Sequence, residues 1–270
     1  MKAKSIFFWI FSILLMFSIF VYQKLTGPTS HVRGKIEVDN EVIGYKLIRT
    51  WSGKTDAEIK ITVHNENVHG KYIYKRYKSF DTWDTLKMTR DNAKLIAYIP
   101  HQPPAGKVIY KIILTDDKGT KYYLTEEPVI IRFKEHVPAL VLIPHIIFMF
   151  LAMFFSTRAG LEALFIKRKT YNLALLTAIF LLLGGLIFGP IVQKYAFDAY
   201  WTGWPFGNDL TDNKTAIAML VWAYAVFQLH KNKSSVFWPV FAAIILLAIY
   251  LIPHSLIGSQ LDFTQIEATN

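Results

Sequence analysis

The chain contains long runs without charged residues, and one large polar region lies between the first and the second of them. Five such runs occur, at Ser5–Tyr22, Val137–Thr157, Asn172–Gln193, Thr215–His230 and Ser235–Ile257. None of them contains Lys, Arg, Asp or Glu. About 20 helical residues cross the ~30 Å hydrocarbon core of a bilayer, and backbone groups in lipid must be paired within the segment, so the runs predict five transmembrane helices. Since the fourth run is short, we expect its helix to start a turn earlier, at Asp212 or Asn213.

The first run is either a cleaved signal peptide or a permanent anchor. A signal peptide has a shorter apolar core, followed by small residues at the cleavage site. Here the run ends in Phe20-Val-Tyr-Gln-Lys24, without a small-x-small site nearby. The pattern therefore favours an uncleaved anchor helix over residues 1–28.

Basic residues at the ends of the runs predict the orientation. If the N-terminus is cytoplasmic, one group of them falls inside: Lys2, Lys4, Arg158, Lys167, Arg168, Lys169, Lys231 and Lys233. An excess of Lys and Arg in short loops marks the cytoplasmic side of a membrane protein. We therefore expect a multi-pass protein of the cytoplasmic (inner) membrane with its N-terminus inside. Residues 29–136 and the C-terminus would be extracytoplasmic, and residues 137–270 would form a four-helix transmembrane domain.

Residues 31–136 carry most of the charge, with 19 of the 30 Lys and Arg and 14 of the 20 Asp and Glu. Polar and apolar residues alternate in four short stretches, at Glu58–Val63, Lys94–Ile99, Lys107–Leu114 and Val129–Phe133. Such alternation predicts β-strands. Asp116-Asp-Lys-Gly119 predicts a hairpin, and Pro103-Pro-Ala-Gly106 breaks the chain before the next strand. Several strands at regular spacing indicate a two-sheet sandwich, and the whole chain is expected to be an α+β membrane protein.

Part of this region resembles a known class of module. The pattern consists of Tyr74, Trp83, Met88, Ala97-Tyr-Ile-Pro100, Ala105-Gly-Lys-Val108, Tyr110, Asp116 and Gly119. It is similar to the immunoglobulin-like and fibronectin-III-like modules found beside many extracytoplasmic enzymes. The resemblance covers residues 70–125 and implies a β-sandwich, but it indicates no activity.

The aromatic residues of this region have two interpretations. Tyr72, Tyr74, Tyr77, Phe80 and Trp83 could form a surface for a carbohydrate or a protein partner. We favour the simpler interpretation, in which alternate members fill the core of the sandwich.

Composition excludes several classes of function. The chain has no cysteine, which excludes disulfides, thiolate-held iron–sulfur clusters and thiol nucleophiles. The net charge of +10 follows from membrane topology, so we expect no nucleic-acid partner. Gly-rich phosphate loops, His-Glu-x-x-His and Gly-x-Ser-x-Gly do not occur, and the sequence leaves open whether the protein is an enzyme.

Two histidines lie in the apolar runs, each in the tetrapeptide Leu-Ile-Pro-His. His145 belongs to the second run and His254 to the fifth. Because these helices run in opposite directions, we expect both imidazoles in the outer half of the bilayer. Two such side chains could hold haem b, or a single transition-metal ion together with a carboxylate from Asp209 or Asp212. Structural hydrogen bonding, or the handling of a proton or substrate, would account for the same residues.

The loop before the fourth predicted helix is rich in aromatic and acidic residues. It includes Asp198, Trp201, Trp204, Asp209 and Asp212. An interfacial aromatic belt and a helix cap explain most of this composition. The length of the loop, on the same side as both histidines, also fits a lid over a binding site.

Three hypotheses for function follow. The leading one is a membrane protein that holds a haem or transition-metal site near the outer face, with a redox or metal-handling role. The alternative is a non-catalytic accessory or assembly subunit whose sandwich contacts a larger membrane complex. A transporter is weaker, because no charged residue lies at mid-depth. Two packing features are also predicted: an ion pair between Arg158 and Glu162, and close helix packing at Gly185 and Gly189.

Overall fold

The computed structural model describes residues 2–253 and 258–269. In chain order the elements are α1 (Lys2–Thr26), β1 (Val32–Val38), β2 (Glu41–Leu47), β3 (Thr50–Ser52), β4 (Ala57–Thr62), β5 (His69–Arg76), β6 (Asp84–Lys87), β7 (Thr89–Asp91), β8 (Lys94–Ile99), β9 (Lys107–Thr115), β10 (Lys121–Tyr123), β11 (Val129–Lys134), α2 (Ala139–Phe165), α3 (Thr170–Leu181), a π-helix (Leu182–Phe188), α4 (Gly189–Phe197), α5 (Leu210–Lys231), α6 (Phe237–Leu251) and α7 (Phe263–Thr269). The protein is therefore a mixed α+β chain, as predicted.

The chain divides into two compact units. The helical unit comprises residues 1–28 and 137–259, and the β unit comprises residues 29–136 and 260–270. The last residues of the chain therefore pack with the strands, although the sequence grouped them with the transmembrane domain.

Three sheets build the β unit. Strands β1 and β2 form a hairpin, and a larger sheet has the order β3-β11-β9-β5-β6 with β10 beside β9. The third sheet has the order β4-β8-β7. Val38, Ile59, Ile112 and Phe133 come from all three sheets and belong to one buried core. Each fully buried aliphatic or aromatic side chain contributes about 1.5–3 kcal/mol, so the three sheets stabilise one another.

The four predicted strands correspond to β4, β8, β9 and β11. The predicted hairpin at Asp116–Gly119 joins β9 to β10, where Asp116 accepts hydrogen bonds from the backbone N–H groups of Lys118 and Thr120. Gly119 has a φ of +82°, which favours a residue without a Cβ. Of the aromatic residues before β6, Tyr72 is buried in the core, whereas Phe80 and Trp83 are exposed.

The C-terminal segment is bound to the β unit by backbone and side-chain contacts. Leu261 donates its N–H to the carbonyl of Ala105 at 3.3 Å, and Thr264 donates to the carbonyl of Lys78 at 3.2 Å. The buried ring of Phe263 lies under the guanidinium of Arg76, with 4.6 Å between the Cζ atom and the ring centroid.

Among the described residues, three helical stretches are long and apolar enough to cross a membrane: Ala3–Thr26, Ala139–Phe165 and Thr170–Phe197. They match the first three predicted spans, and by length and composition they are candidate membrane-spanning helices. The third stretch joins α3, the π-helix and α4 without a break. Helix α6 is apolar but shorter, and α5 begins at Leu210, earlier than the predicted start.

The predicted fifth helix ends earlier than expected. Helix α6 stops at Leu251, and Ile252 is extended with φ −77° and ψ +118°. Proline disfavours helical backbone at the residue before it, so α6 ends before Pro253. The predicted fifth helix, over residues 235–257, contains this proline. His254 lies outside the described residues.

Small residues bring the helices of the helical unit together. Ala152, Ala159, Ala174, Ala218 and Ala242 are buried in one cluster around the fully buried Trp222. Lipid tails are as apolar as the side chains, so close backbone approach and van der Waals packing replace the hydrophobic effect as the source of stability.

Candidate functional site

His145 is hydrogen-bonded to the backbone of a neighbouring helix. It lies in the second turn of α2, directly after Pro144, and its Nδ1 atom is 2.8 Å from the carbonyl oxygen of Gly184. A carbonyl can only accept, so Nδ1–H donates this bond. In the neutral ring the lone pair then lies on Nε2, the atom that would bind a metal or accept another proton.

The acceptor belongs to a π-helix. Gly184 also accepts the N–H of Gly189, five residues later, which defines the wider turn. Pro190 follows at once and has no N–H to donate, so the regular hydrogen-bond ladder cannot continue through it. One carbonyl therefore receives two donors, Gly189 N–H and His145 Nδ1–H. Single-turn π-helices often mark functional sites.

Two glycines of the π-helix, Gly184 and Gly185, allow it to pack closely against α2, which carries His145, and against α5. A Cβ atom on Gly184 would lie 3.0 Å from the backbone nitrogen and from the Sδ atom of Met149. A Cβ on Gly185 would lie 2.6 Å from the Cγ2 atom of Thr215 on α5. The predicted close packing at Gly185 therefore occurs, and Gly184, which the sequence pattern did not single out, brings the π-helix against α2.

Asp212 holds the loop before α5 in shape. Its Oδ2 atom accepts the backbone N–H groups of Thr202 at 2.6 Å and Gly203 at 2.9 Å, and the amide of Gln193 at 3.2 Å. A Cβ on Gly203 would lie 2.6 Å from the Cβ of Asp212, so the carboxylate can approach only a glycine here.

Asp209 performs two structural roles with its two oxygens. Its Oδ1 atom accepts the N–H of Thr211 at 2.7 Å and caps α5; the sequence predicts a cap here, with Asp209, Thr211 and Asp212 as the candidates. Its Oδ2 atom accepts from Ser259, through the N–H at 2.7 Å and the hydroxyl at 2.8 Å, and from the hydroxyl of Thr202 at 3.1 Å. Burial raises the pKa of the Asp209 carboxyl, but the hydrogen bonds from Ser259, Thr211 and Thr202 outweigh burial and hold the pKa below its usual value.

Asp209 and Asp212 are thus brought together through Thr202, and both carboxylates are occupied by donors of the chain itself. In the part of the chain that the structure describes, His145 makes no hydrogen bond to either of them. No group of three or more His, Cys, Asp or Glu side chains suited to a metal ion occurs among residues 2–253 and 258–269.

The remaining predicted loop residues lie towards solvent or lipid. The Trp201 indole N–H donates to the carbonyl of Trp204 at 3.1 Å, and the Trp204 side chain is exposed. Asp198 pairs with Lys194 one turn earlier, at 2.7 Å. These contacts fix the surface of the loop.

A buried ion pair lies at the other end of α2. The Nη2 atom of Arg158 is 2.7 Å from Oε2 of Glu162, and both residues are only 2% exposed, so the predicted ion pair is confirmed. The second carboxylate oxygen accepts the N–H groups of Arg168 at 3.1 Å and Lys169 at 3.0 Å, which fixes the turn into α3.

Comparison of this sequence with protein-family models gave no match, and comparison with curated proteins gave none either, so the function must be argued from the geometry above.

Proposed function

We propose that this membrane protein uses the Nε2 atom of His145 to ligate haem b or a single transition-metal ion, in a redox or metal-handling role. The observation that carries the proposal is the hydrogen bond from Nδ1–H to the Gly184 carbonyl. Histidines that bind metals almost always donate their other ring N–H to a carbonyl or carboxylate, which fixes the tautomer and the ring orientation.

The second ligand in this proposal is His254, which lies outside the described residues. It follows Pro253, and Ile252 is held through its carbonyl by Lys214, whose Nζ atom donates at 3.1 Å. Two imidazoles suffice for the iron of haem b. For a single metal ion a carboxylate of Asp209 or Asp212 would have to give up internal donors, so the geometry favours haem.

The proposed topology places this site near the outer face. The C-terminal segment is bonded to Ala105 and Lys78 within the β unit, so both belong on one side of the membrane. The chain must then cross an even number of times between residues 137 and 259, which α2, the α3–α4 stretch, α5 and α6 provide. With α1 the chain would cross the membrane five times in total. The basic residues Lys4, Arg168 and Lys233 would then lie on the opposite, cytoplasmic side. In this proposal the β unit, part of which resembles an immunoglobulin-like or fibronectin-III-like module in sequence, would be extracytoplasmic.

The test is the visible spectrum and metal content of the purified full-length protein, expressed with haem and transition metals supplied. We expect a Soret band, or one equivalent of metal, that is lost in His145→Ala. His230→Ala is the matched control, because this histidine is exposed in the last turn of α5. Protein that is colourless and metal-free would contradict the proposal, and so would equal loss in both variants.

A second candidate function is an accessory subunit of a larger membrane complex. Phe80 is 73% and Trp83 is 44% exposed in the segment between β5 and β6, which favours a protein partner for this surface. Stoichiometric co-purification with a complex, lost in Phe80→Ser and kept in Tyr123→Ser, would support this role. Tyr123 is a comparably exposed aromatic residue on β10.

A further inference from the structure

A cleft of about 540 Å³ opens on the β unit. Its lining consists of Trp51, Lys54, Thr55, Asp56, Glu58 and Tyr98. Trp51 belongs to β3, at the edge of the larger sheet, and Glu58 and Tyr98 face each other across β4 and β8 of the third sheet. The cleft therefore lies where the edges of two sheets meet.

The loop between β3 and β4 is held in one shape. The Trp51 indole N–H donates to the carbonyl of Thr55 at 2.9 Å, and Gly53 donates its N–H to the carbonyl of Lys134 at 3.1 Å. The Oδ1 atom of Asp56 accepts the N–H of His101 at 2.9 Å. A loop that is already ordered loses little entropy when a ligand binds.

The opposite wall is also fixed. The carbonyl of Tyr98 accepts the hydroxyl of Tyr72 at 3.1 Å, which ties β8 to a buried side chain of β5. The Tyr98 side chain itself is 43% exposed. Two aromatic side chains, Trp51 and Tyr98, thus line the cleft.

The charges of the cleft nearly cancel. Glu58 pairs with Lys60 at 2.7 Å, which leaves Asp56 and Lys54 as one negative and one positive group. A quaternary ammonium ligand would find the Glu58 carboxylate already paired with Lys60 and would meet the ammonium of Lys54, and a phosphate would meet the carboxylate of Asp56. A ligand without net charge fits best.

We propose that this cleft binds a neutral saccharide of one or two sugar rings. The apolar C–H face of a sugar ring packs on an aromatic face, and because the Trp51 N–H is occupied by Thr55, Trp51 contributes its ring surface. The carboxylate of Asp56 accepts bonds from sugar hydroxyls, and the ammonium of Lys54 donates to them. The volume lies within the range of small-molecule sites. The inference is independent of the function proposed for His145.

The experiment uses the full chain in lipid nanodiscs, since many detergents carry sugar head groups. Cellobiose, maltose and N,N′-diacetylchitobiose are tested by saturation-transfer NMR and titration calorimetry at up to about 10 mM. We expect at least one of them to bind, and Trp51→Ala to weaken that binding at least about tenfold. Tyr123→Ala is the control, because Tyr123 is an exposed aromatic residue of the same unit outside the cleft.

Two further variants guard against misfolding of Trp51→Ala. Tyr98→Ser and Lys54→Met remove a ring surface and a donor from exposed positions, and each should weaken binding of the same saccharide, while Tyr123→Ala should not. The proposal is overturned if none of the three disaccharides binds. It is equally overturned if choline or inorganic phosphate binds in their place, or if the cleft variants bind the saccharide as well as the control does.

Discussion

The guanidinium of Arg158 lies over the indole ring of Trp9, with 4.9 Å between the Cζ atom and the ring centroid. Arg158 also donates to the hydroxyl of Ser5 at 3.1 Å. The charged end of α2 is therefore tied to α1 by a cation–π contact and a hydrogen bond, in addition to its pairing with Glu162. These contacts make α1 part of the helical unit, and the uncleaved anchor stays a prediction.

Loss of Glu162 should be strongly destabilising. Glu162→Ala leaves the guanidinium of Arg158 buried without its counter-charge and removes the acceptor of the Arg168 and Lys169 N–H groups. Such a change costs about 3–5 kcal/mol of unfolding free energy. Unfolding in mixed micelles measures it. Arg168→Met, in the exposed part of the same turn, should stay within about 0.5 kcal/mol of the parent protein.

The double variant Arg158→Met with Glu162→Met separates charge from packing. Because both charges are removed together, it should be more stable than Glu162→Ala. Equal destabilisation of the single and the double variant would show that volume, and not the unpaired charge, dominates at this position.

Asp209 should matter for stability far more than Asp198. Asp209→Ala removes the cap of α5 and the two bonds from Ser259, and we expect a loss of about 2–3 kcal/mol. Asp198→Asn, which suits the left-handed backbone at φ +61°, removes only the charge of an exposed pair with Lys194, so its loss should be much smaller. The same unfolding measurement compares them, and similar losses would refute the assigned role of the network.

The pKa of Asp209 predicts how this contribution depends on pH. The folded protein holds the pKa of this carboxyl below its usual value, so it binds the proton more weakly than the unfolded chain does. Its contribution is complete above the ordinary pKa of about 3.9 and is lost as pH falls through the lower folded value. The stability difference between the parent protein and Asp209→Asn should be constant from about pH 7 to pH 5 and shrink below about pH 4. A difference that shrinks already at neutral pH would contradict this.

Gly184→Ala tests the approach of the π-helix to α2. The added Cβ would lie 3.0 Å from backbone and side-chain atoms of Met149, so the π-helix and α2 must move apart by a few tenths of an ångström, which lengthens the bond from His145 to the Gly184 carbonyl. Overpacking of this kind costs about 1–3 kcal/mol. Gly44→Ala is the control, since a Cβ there has no neighbour within 4 Å. If His145 ligates haem or a metal ion as proposed, Gly184→Ala should also weaken this binding, whereas Gly44→Ala should not.

Helices and strands could be predicted from the sequence because each depends on a pattern among residues that are close together in the chain. Absence of charge over a helix length predicted α1, α2 and the α3–α4 stretch, and alternation predicted four strands. Asp209 was one of three candidates for the cap of α5, and Arg158 with Glu162 was a predicted pair because of its i,i+4 spacing.

Contacts between distant residues could not be predicted in this way. Ser259 is 50 positions from Asp209, and Gly184 is 39 positions from His145. The π-helix supplies this carbonyl, and Pro190, which has no N–H to donate, follows it. The end of α6 could have been predicted from the sequence, because Pro253 restricts the backbone of Ile252. The prediction followed the apolar run instead, which continues to Ile257.

The proposed topology can be tested with single cysteines, because the chain has none of its own. Cysteines at Phe80 in the β unit and at Gln265 in α7 should react with a membrane-impermeant maleimide on intact cells. Cysteines at Lys169 and Lys233, in the turns before α3 and α6, should react only after the membrane is opened. Phe80 and Gln265 must behave alike, since the segment from Leu261 to Thr264 is bonded to the β unit. Labelling of Gln265 on the side opposite to Phe80 would mean an odd number of crossings between residues 137 and 259, and the placement of His145 near the outer face would have to be abandoned.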